Sequence, residues 1–133
     1  MVCVYCNGKT SVINSRPQRK SGGVWRRRSC ENCQAVFTTR EEVDAEQSIM
    51  VVNSGSLEPF LRDKLFISIH DSLKHRKTSL RDAKELTDTI WKQLVPHFHA
   101  GTVEKHSIIT VAGATLQRFD PIAATHYLAY HKR

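Results

Sequence analysis

Four cysteines in two closely spaced pairs constrain the fold of this chain more than any other feature. The motif Cys-x-x-Cys occurs twice with 23 residues between the pairs, and the cysteines are Cys3, Cys6, Cys30 and Cys33. A two-residue spacer lets one tight turn present both sulfurs to one ion, and the long spacer returns the chain to complete a tetrahedron. We therefore predict a closed, structural zinc site of the zinc-ribbon type, with one Zn²⁺ per chain.

Two other uses of paired cysteines explain the pattern less well. A redox Cys-x-x-Cys motif would account for one pair and leave the other without a role. Disulfides do not fit a chain whose first six residues show neither a basic start nor an apolar core, because we then expect no export signal. A unit of about 40 residues also buries too little apolar surface to fold alone, so bound metal would supply the missing free energy.

The charge of the chain is concentrated in the same segment. Residues 1–40 contain eight Lys and Arg and one acid, whereas residues 41–133 contain twelve residues of each sign. The formal net charge of +7 therefore lies entirely in the first 40 residues. Four thiolates with one Zn²⁺ would add −2 and leave this segment basic. This step in charge predicts two units, of which the first faces a polyanion.

The segment between the cysteine pairs predicts a basic β-hairpin. Gly22-Gly23 marks its turn, with strand-like sequence at 11–14 and 24–29. Alternation along a strand puts Arg26 and Arg28 on one face and Arg27 on the other, with Trp25 free to pack or stack. A solvated surface would be the simpler interpretation of a lone basic triplet, but so much charge on a small unit favours a phosphate backbone as partner. The candidate residues are Arg16, Arg19, Lys20, Arg26, Arg27 and Arg28.

The second part of the chain predicts a strand followed by a bundle of about four helices. Residues 47–53 are β-branched and apolar, and the four residues from Asn53 to Ser56 are typical of a turn. Apolar residues then recur at helical spacing in four segments. The predicted inner faces are Leu61, Leu65, Phe66, Ile69 and Leu73; Ala83, Leu86, Ile90 and Leu94; and Ile108, Ala112, Leu116 and Phe119. The fourth helix is expected to run through Tyr127 and Tyr130, and most of these apolar residues are expected to be core.

Local signals also predict where these helices begin and end. Ser79 with Asp82 resembles a capping box at the start of the second helix, which Pro96 ends. The third helix is expected from about 104 to 119. Asp120-Pro121 supplies an N-cap and a proline at the first position of the fourth helix.

Several classes of protein do not fit the sequence. No apolar run approaches the roughly 18 to 20 residues that span a bilayer, so we expect neither a membrane protein nor a secreted one. The sequence has no Walker A motif, nucleophile elbow or HExxH motif. Seven scattered histidines show no ligand pattern. Residue patterns alone therefore assign no activity to the second part of the chain.

Over nearly its whole length the chain resembles the NrdR type of transcriptional repressor, in which a four-cysteine zinc ribbon precedes an ATP-cone domain. The amino-terminal motifs that carry the resemblance are the cysteine pairs, Val12-Ile13-Asn14-Ser15-Arg16, Trp25-Arg26-Arg27-Arg28-Ser29-Cys30 and Phe37-Thr38-Thr39-Arg40-Glu41. The ATP-cone pattern is matched by Val51-Val52, Glu58-Pro59-Phe60, Lys64-Leu65 and Ala123-Ala124 with Tyr127 and Tyr130.

The resemblance implies an α+β protein with a zinc-ribbon DNA-binding domain at 1–44 and an ATP-cone nucleotide-binding domain at 45–133. It implies a cytoplasmic repressor, nucleoid-associated when bound, that recognises double-stranded DNA boxes upstream of ribonucleotide reductase genes. ATP or dATP would act as the allosteric effector by changing the homo-oligomeric state, and the protein would not be an enzyme.

The resemblance also implies roles for individual residues. Arg16, Arg26, Arg27 and Arg28 would contact phosphates and base edges. In the cone, Lys64 would neutralise phosphate, Val52 and Phe60 would line the base and sugar pocket, and Glu58 would accept a hydrogen bond. The full set of expected nucleotide-binding residues is Val52, Asn53, Glu58, Pro59, Phe60, Lys64 and Leu65.

Three residues depart from the family pattern. Trp25 stands where the basic run opens with Arg, Val36 replaces an Arg, and Asn53 replaces a phosphate-binding Lys in a shortened turn. These departures leave an alternative open, a nucleotide-regulated module whose ribbon binds protein or RNA. A third hypothesis is that the protein is an enzyme, but the sequence contains no recognisable catalytic base or magnesium-binding carboxylate cluster.

Overall fold

A computed structural model describes residues 1–19 and 21–132, and the chain divides into two compact units, Met1–Val43 and Asp44–Arg133. The boundary lies one residue from the one expected from the sequence. Lys20, one of the six predicted DNA-binding residues, lies outside the described residues.

The first unit is a three-stranded antiparallel sheet in the order β1-β2-β3. The strands are β1 (Thr10–Gln18), β2 (Gly23–Cys30) and β3 (Val36–Glu41). The predicted hairpin is confirmed, since Gly22 has a φ of 69° in the turn and Gln18 pairs with Gly23. Gly23 is required by close approach, because a Cβ there would lie 2.6 Å from the carbonyl oxygen of Glu41. The third strand, β3, was not predicted from the sequence.

The second unit combines a small mixed sheet with helices, which confirms the α+β class. Its strands, β4 (Met50–Asn53), β5 (Ser56–Pro59) and β6 (Thr102–Glu104), are ordered β5-β4-β6, with β4 antiparallel to β5 and parallel to β6. The helices are α1 (Ala45–Ser48), α2 (Arg62–Ser72), α3 (Ser79–Leu94), α4 (Lys105–Phe119) and α5 (Pro121–His131), and a 3₁₀ turn covers Val95–His97.

The predicted helical periodicity locates most of the core correctly. One buried cluster joins the sheet to α2, α3, α4 and α5. It contains the predicted residues Leu65, Ile69, Leu73, Ala83, Leu86, Ile90, Leu94, Ala112, Leu116 and Tyr127. Helices α4 and α5 pack closely at Gly113, where a Cβ would lie 2.8 Å from Leu128 Cδ2 and the leucine side chain would have to shift.

Some predicted inward residues are exposed instead. Leu61 is 45% exposed and Phe119 is 42% exposed. Both lie at helix ends, where helical periodicity no longer predicts burial. These two predictions were wrong.

Two element starts also differ from the predictions. The strand expected from residue 47 begins at Met50, because Asp44 accepts hydrogen bonds from two backbone amides and caps the single helical turn of α1. The predicted capping box at Ser79 is replaced by an N-cap at Thr78, whose hydroxyl donates to the Asp82 carboxylate over 2.6 Å. The predicted cap of α5 is confirmed, since the Asp120 carboxylate accepts from two amides of its first turn.

Among the helices of the described residues, none combines the length and the apolar character that crossing a bilayer requires.

Candidate functional site

The four cysteine sulfurs converge in the first unit, where all lie within 4.8 Å of one another. Cys3 Sγ is 3.7 Å from Cys33 Sγ, and Cys6 Sγ is 3.5 Å from Cys30 Sγ. A tetrahedral ion with bonds of about 2.3 Å to sulfur separates its ligands by about 3.8 Å. These distances therefore fit a Zn²⁺ centre and are too long for disulfide bonds.

Each cysteine pair lies in its own backbone turn, and the two turns have the same hydrogen-bond pattern. In the first turn, the Cys3 amide donates to the Gly8 carbonyl over 2.9 Å and the Asn7 amide donates to the Cys3 carbonyl over 3.0 Å. The second turn repeats this pattern from Cys30, with partners Ala35 at 3.0 Å and Gln34 at 3.2 Å. Asn7 and Gln34 take matching φ values of 57° and 58°. Each pair is therefore a preformed two-ligand knuckle.

Hydrogen bonding makes one sulfur a thiolate more readily than another. Backbone amides of Cys33 and Asn32 donate to Cys30 Sγ and lower the pKa of Cys30 to about 6. A hydrogen bond with the backbone of Ala35 favours the thiolate of Cys33, but the Cys6 sulfur, burial and the other sulfurs outweigh it and raise the pKa of Cys33 to about 12. A bound divalent cation would offset the unfavourable effect of the neighbouring sulfurs, because it favours the thiolate form of all four cysteines.

Strand register divides the basic residues of the first unit between two faces. On one face Trp25 lies between Arg16 on β1 and Arg40 on β3, and Arg27 lies between Asn14 and Thr38. We call these six residues the arginine face. Its three arginines are exposed and form no ion pair with any residue of the described chain. One acid, Glu42, lies at the end of this face beside Gly23.

The opposite face of the sheet holds arginines that have protein partners. Arg26 forms an ion pair with Glu41, and Arg28 Nε lies 3.3 Å from the Thr39 hydroxyl. We call this the paired face. The alternation predicted for β2 is confirmed, because Arg26 and Arg28 share a face and Arg27 lies on the other.

Two basic residues fall outside the predicted pattern. Arg19 is exposed and follows the end of β1, so it belongs to neither face. Arg40 was not among the predicted residues although it lies directly opposite Trp25. Alternation along the Phe37–Glu41 motif could have placed Arg40 on the same face as Thr38. The sequence did not show, however, which strand would pair with this segment or in which register.

The second unit contains a groove with two lobes. The apolar lobe, of about 100 Å³, lies between α2, α4, α5 and the sheet, and the polar lobe, of about 270 Å³, lies beside the β4–β5 turn. Lys105, Ile109 and His131 line both lobes, so the two lie next to one another. All seven predicted nucleotide-binding residues line this groove: Glu58, Pro59, Phe60, Lys64 and Leu65 in the apolar lobe, and Val52 and Asn53 in the polar lobe.

The groove also contains residues that the sequence analysis did not select for it. Val51, rather than Val52, lines the apolar lobe, because neighbouring strand residues face opposite sides. Other additions are Ser68 on α2 and, from segments distant in the chain, Glu104 at the end of β6 and Lys105, His106, Ile108, Ile109, Tyr127 and His131 on α4 and α5. No local motif marks them as neighbours.

Polar contacts set the charge along the groove. Lys64 Nζ lies 3.4 Å from a Glu58 carboxylate oxygen. Lys64, which was predicted to bind phosphate, therefore forms an ion pair with Glu58. The Ser68 hydroxyl lies 2.9 Å from His131 Nε2. Burial, followed by the positive charge of Lys105, lowers the pKa of His131.

Comparison with known proteins places these features in a family context. A family model described as "Transcriptional repressor NrdR-like, N-terminal domain" matches residues 1–41. A protein named "Transcriptional repressor NrdR" from Symbiobacterium thermophilum is 32% identical over 126 residues, covering 90% of this chain and 84% of its own length. The protein of the same name from Methylacidiphilum infernorum is 31% identical over 139 residues, covering 98% and 81%.

A third similar protein of that name, from Alkaliphilus oremlandii, is 37% identical over 95 residues, covering 71% of this chain. The match spans 62% of that protein's own length. These relatives are named as repressors rather than enzymes, which confirms the expectation of a non-enzymatic protein.

Proposed function

Because the chain belongs to the NrdR family of transcriptional repressors, we propose that it represses ribonucleotide reductase genes under the control of ATP or dATP. The zinc ribbon binds double-stranded DNA, the second unit binds the nucleotide, and the nucleotide changes the homo-oligomeric state. Such a protein acts in the cytoplasm, on the nucleoid when it is bound to DNA.

The observation that carries the DNA-binding proposal is the arginine face. Three exposed arginines that form no ion pair among the described residues lie together on the sheet of the unit that contains the four converging cysteines. A guanidinium suits phosphate and base-edge contacts because it donates two parallel hydrogen bonds. The paired face supports the same choice, since binding through Arg26 would first require breaking its ion pair with Glu41.

The four cysteines would hold one Zn²⁺ whose role is structural. The ion would join two knuckles that are far apart in the sequence and so fix β2 relative to the turns on either side of it. The ion would have no catalytic role, because four thiolate ligands leave no open coordination position for a reacting water.

The groove of the second unit supports nucleotide binding. Phe60, Leu65 and Tyr127 offer an apolar lobe of the kind that receives a base, with Glu58 as an acceptor for a base or sugar group. Phosphates would extend toward the polar lobe, where Lys105 provides a cation. Asn53 can donate hydrogen bonds at the β4–β5 turn but contributes no charge.

Oligomer switching would connect the two sites by linkage. A nucleotide that binds one assembly more tightly shifts the population toward that assembly. An array of weak DNA-binding units gains affinity only when the assembly spaces them to match the DNA boxes. Nucleotide identity would thereby set DNA affinity without any direct contact between effector and DNA.

The proposal can be tested with a duplex carrying the promoter of a ribonucleotide reductase gene from the source organism. We expect native mass spectrometry to show one zinc per chain, bound ATP or dATP, and a subunit number that depends on the nucleotide. Fluorescence anisotropy should show that DNA affinity changes at least about tenfold between nucleotide states. Absence of DNA binding in every state, or equal competition by duplex RNA at two salt concentrations, would contradict it.

A further inference from the structure

Trp25 occupies an unusual place in the first unit. It lies at the centre of the arginine face, with Arg16 and Arg40 as its direct cross-strand partners. Adjacent strands lie about 4.8 Å apart, so the two arginines start about 10 Å from one another on either side of the indole. Arg27 lies on the same face two residues further along β2.

Packing within the protein does not account for this tryptophan. The buried residues of the described first unit are Cys3, Gly23 and Cys30, and the hydrophobic core cluster lies in the second unit. Trp25 is half-buried, and it makes none of the aromatic contacts found among the described residues. A large, partly exposed apolar ring that belongs to no hydrophobic cluster of the described residues therefore lies among the arginines of this face.

A flat aromatic ring flanked by guanidinium groups suits one kind of ligand. Its face can stack on a nucleobase, while the flanking arginines bind phosphates on both sides. In duplex DNA, apolar side chains reach the bases by inserting between steps and partly unstacking them. Phosphate contacts position a protein, whereas a stacked side chain responds to how easily the DNA deforms.

We propose that Trp25 stacks on a base of the bound DNA while Arg16 and Arg40 hold the backbone on either side, an inference that rests on the proposed DNA-binding function. Trp25 is then a specificity-determining residue at the position where the family pattern has arginine. Selectivity at this point comes from DNA deformability rather than from an additional charge contact.

Salt dependence separates stacking from charge. Each phosphate neutralised by a cation contributes about −0.9 to the slope of log affinity against log salt, whereas a neutral ring contributes little. Trp25→Ala should therefore weaken binding about five- to hundredfold with an unchanged slope. Trp25→Arg should make the slope steeper by about 0.9.

The experiment measures anisotropy of the promoter duplex at several salt concentrations with the full chain and its variants. Trp25→Phe, which preserves an aromatic ring, should retain more affinity than Trp25→Ala. Val24→Ala is the matched control, because Val24 is the half-buried neighbour on the paired face. Zinc content by native mass spectrometry identifies variants whose ribbon has not folded.

A second readout leaves Trp25 itself unchanged. The chain has two tryptophans, so in a Trp91→Phe variant all tryptophan emission comes from Trp25. Stacking on a base should quench this emission strongly and saturably, with a midpoint equal to the anisotropy Kd. Cooperative melting of the helices checks that Trp91→Phe is folded.

The outcomes are distinguishable. DNA binding by the Trp91→Phe variant without quenching of Trp25 emission, or equal affinity of Trp25→Ala and Val24→Ala for DNA, overturns the stacking inference and leaves DNA binding intact. If the wild-type chain binds no DNA in any nucleotide state, both the inference and the proposed function are overturned.

Discussion

Asp120 joins three parts of the second unit through one carboxylate. Its Oδ1 accepts hydrogen bonds from the amides of Ile122 and Ala123 at 3.0 and 3.1 Å and so caps α5. Its Oδ2 lies 2.9 Å from His75 Nε2 and 3.2 Å from Arg76 Nη1. The hydrogen bond with His75, followed by that from the Ala123 amide, lowers the pKa of Asp120 from 3.8 to about 2. The ionised form is therefore part of the folded structure.

Replacing Asp120 by Asn should separate its charge from its capping role. Asn caps a helix about as well as Asp, so the expected loss of roughly 1–2 kcal/mol at pH 7 comes from the missing charge-assisted contacts. Because the folded pKa is the lower one, the wild-type contribution is complete above about pH 4 and is lost as the pH falls through about 2.

Urea denaturation followed by far-UV circular dichroism at pH 7, 5 and 3 measures this difference. The gap between wild type and Asp120→Asn should be smaller at pH 3 than at pH 5, because the pKa of Asp120 falls from 3.8 to about 2 on folding. Asp71→Asn is the control, because it removes an exposed ion pair with Lys74 and should cost less than about 0.5 kcal/mol. A gap at pH 3 as large as the gap at pH 5 would contradict this role.

At the scale of the element, β2 shows how alternation sorts identical residues into different roles. Three consecutive arginines alternate between faces, so their environments differ although their chemistry is the same. Arg26 is paired with Glu41 and Arg28 contacts Thr39, whereas Arg27 extends from the arginine face. Availability for phosphate therefore depends on position along the strand.

Arg27→Ala and Arg26→Ala should consequently differ in DNA binding. We expect Arg27→Ala to lower affinity about tenfold at 0.1 M salt and to reduce the salt slope by about 0.9, because one phosphate contact is lost. Arg26→Ala should change affinity less than about threefold and leave the slope unchanged, because its charge already has an acid partner. Anisotropy titrations across a salt series measure both, and equal slopes for the two variants would argue against the arginine face.

At the scale of the whole molecule, the two units are stabilised by different means. Within the described residues, Cys3 and Cys30 supply the buried side chains of the first unit, and both are ligands of the metal site. The second unit has a continuous apolar core of helix and strand residues. Metal binding should therefore control the fold of one unit and not of the other.

Cys33→Ser should unfold the ribbon while the helices still melt cooperatively. We expect zinc to be lost and DNA affinity to fall at least about a hundredfold, because the arginine face needs the folded sheet. The dATP affinity of the second unit should stay within about twofold of wild type, since its groove contains no cysteine.

Native mass spectrometry, anisotropy and calorimetry measure the three quantities separately. Val36→Ala, an exposed substitution on β3 that leaves the sulfurs untouched, serves as the control. Retained DNA binding by Cys33→Ser would contradict the metal assignment, whereas equal loss of DNA and nucleotide binding would indicate general misfolding.

Features that depend on local spacing were predictable from the residues alone. Two-residue spacers place cysteine sulfurs on one turn, so the ligand set followed from the motif. Helical periodicity identified inner-face residues such as Ile69 and Leu116, and Asp120-Pro121 marked the start of α5 because capping involves neighbours in sequence. Family resemblance added the seven expected nucleotide-binding residues, which line the two neighbouring lobes of the groove. Their role in nucleotide binding stays a prediction.

Features that depend on register and packing became visible in the folded chain. Arg40 meets Trp25 because β3 pairs with β2 in one particular register, and a shift of one residue would move Arg40 to the paired face. Ser68 meets His131 across 63 positions of sequence because α2 and α5 enclose the same core. Which distant segments come into contact depends on the free energy of packing the whole core, to which many residues contribute. A short sequence motif therefore cannot predict such contacts.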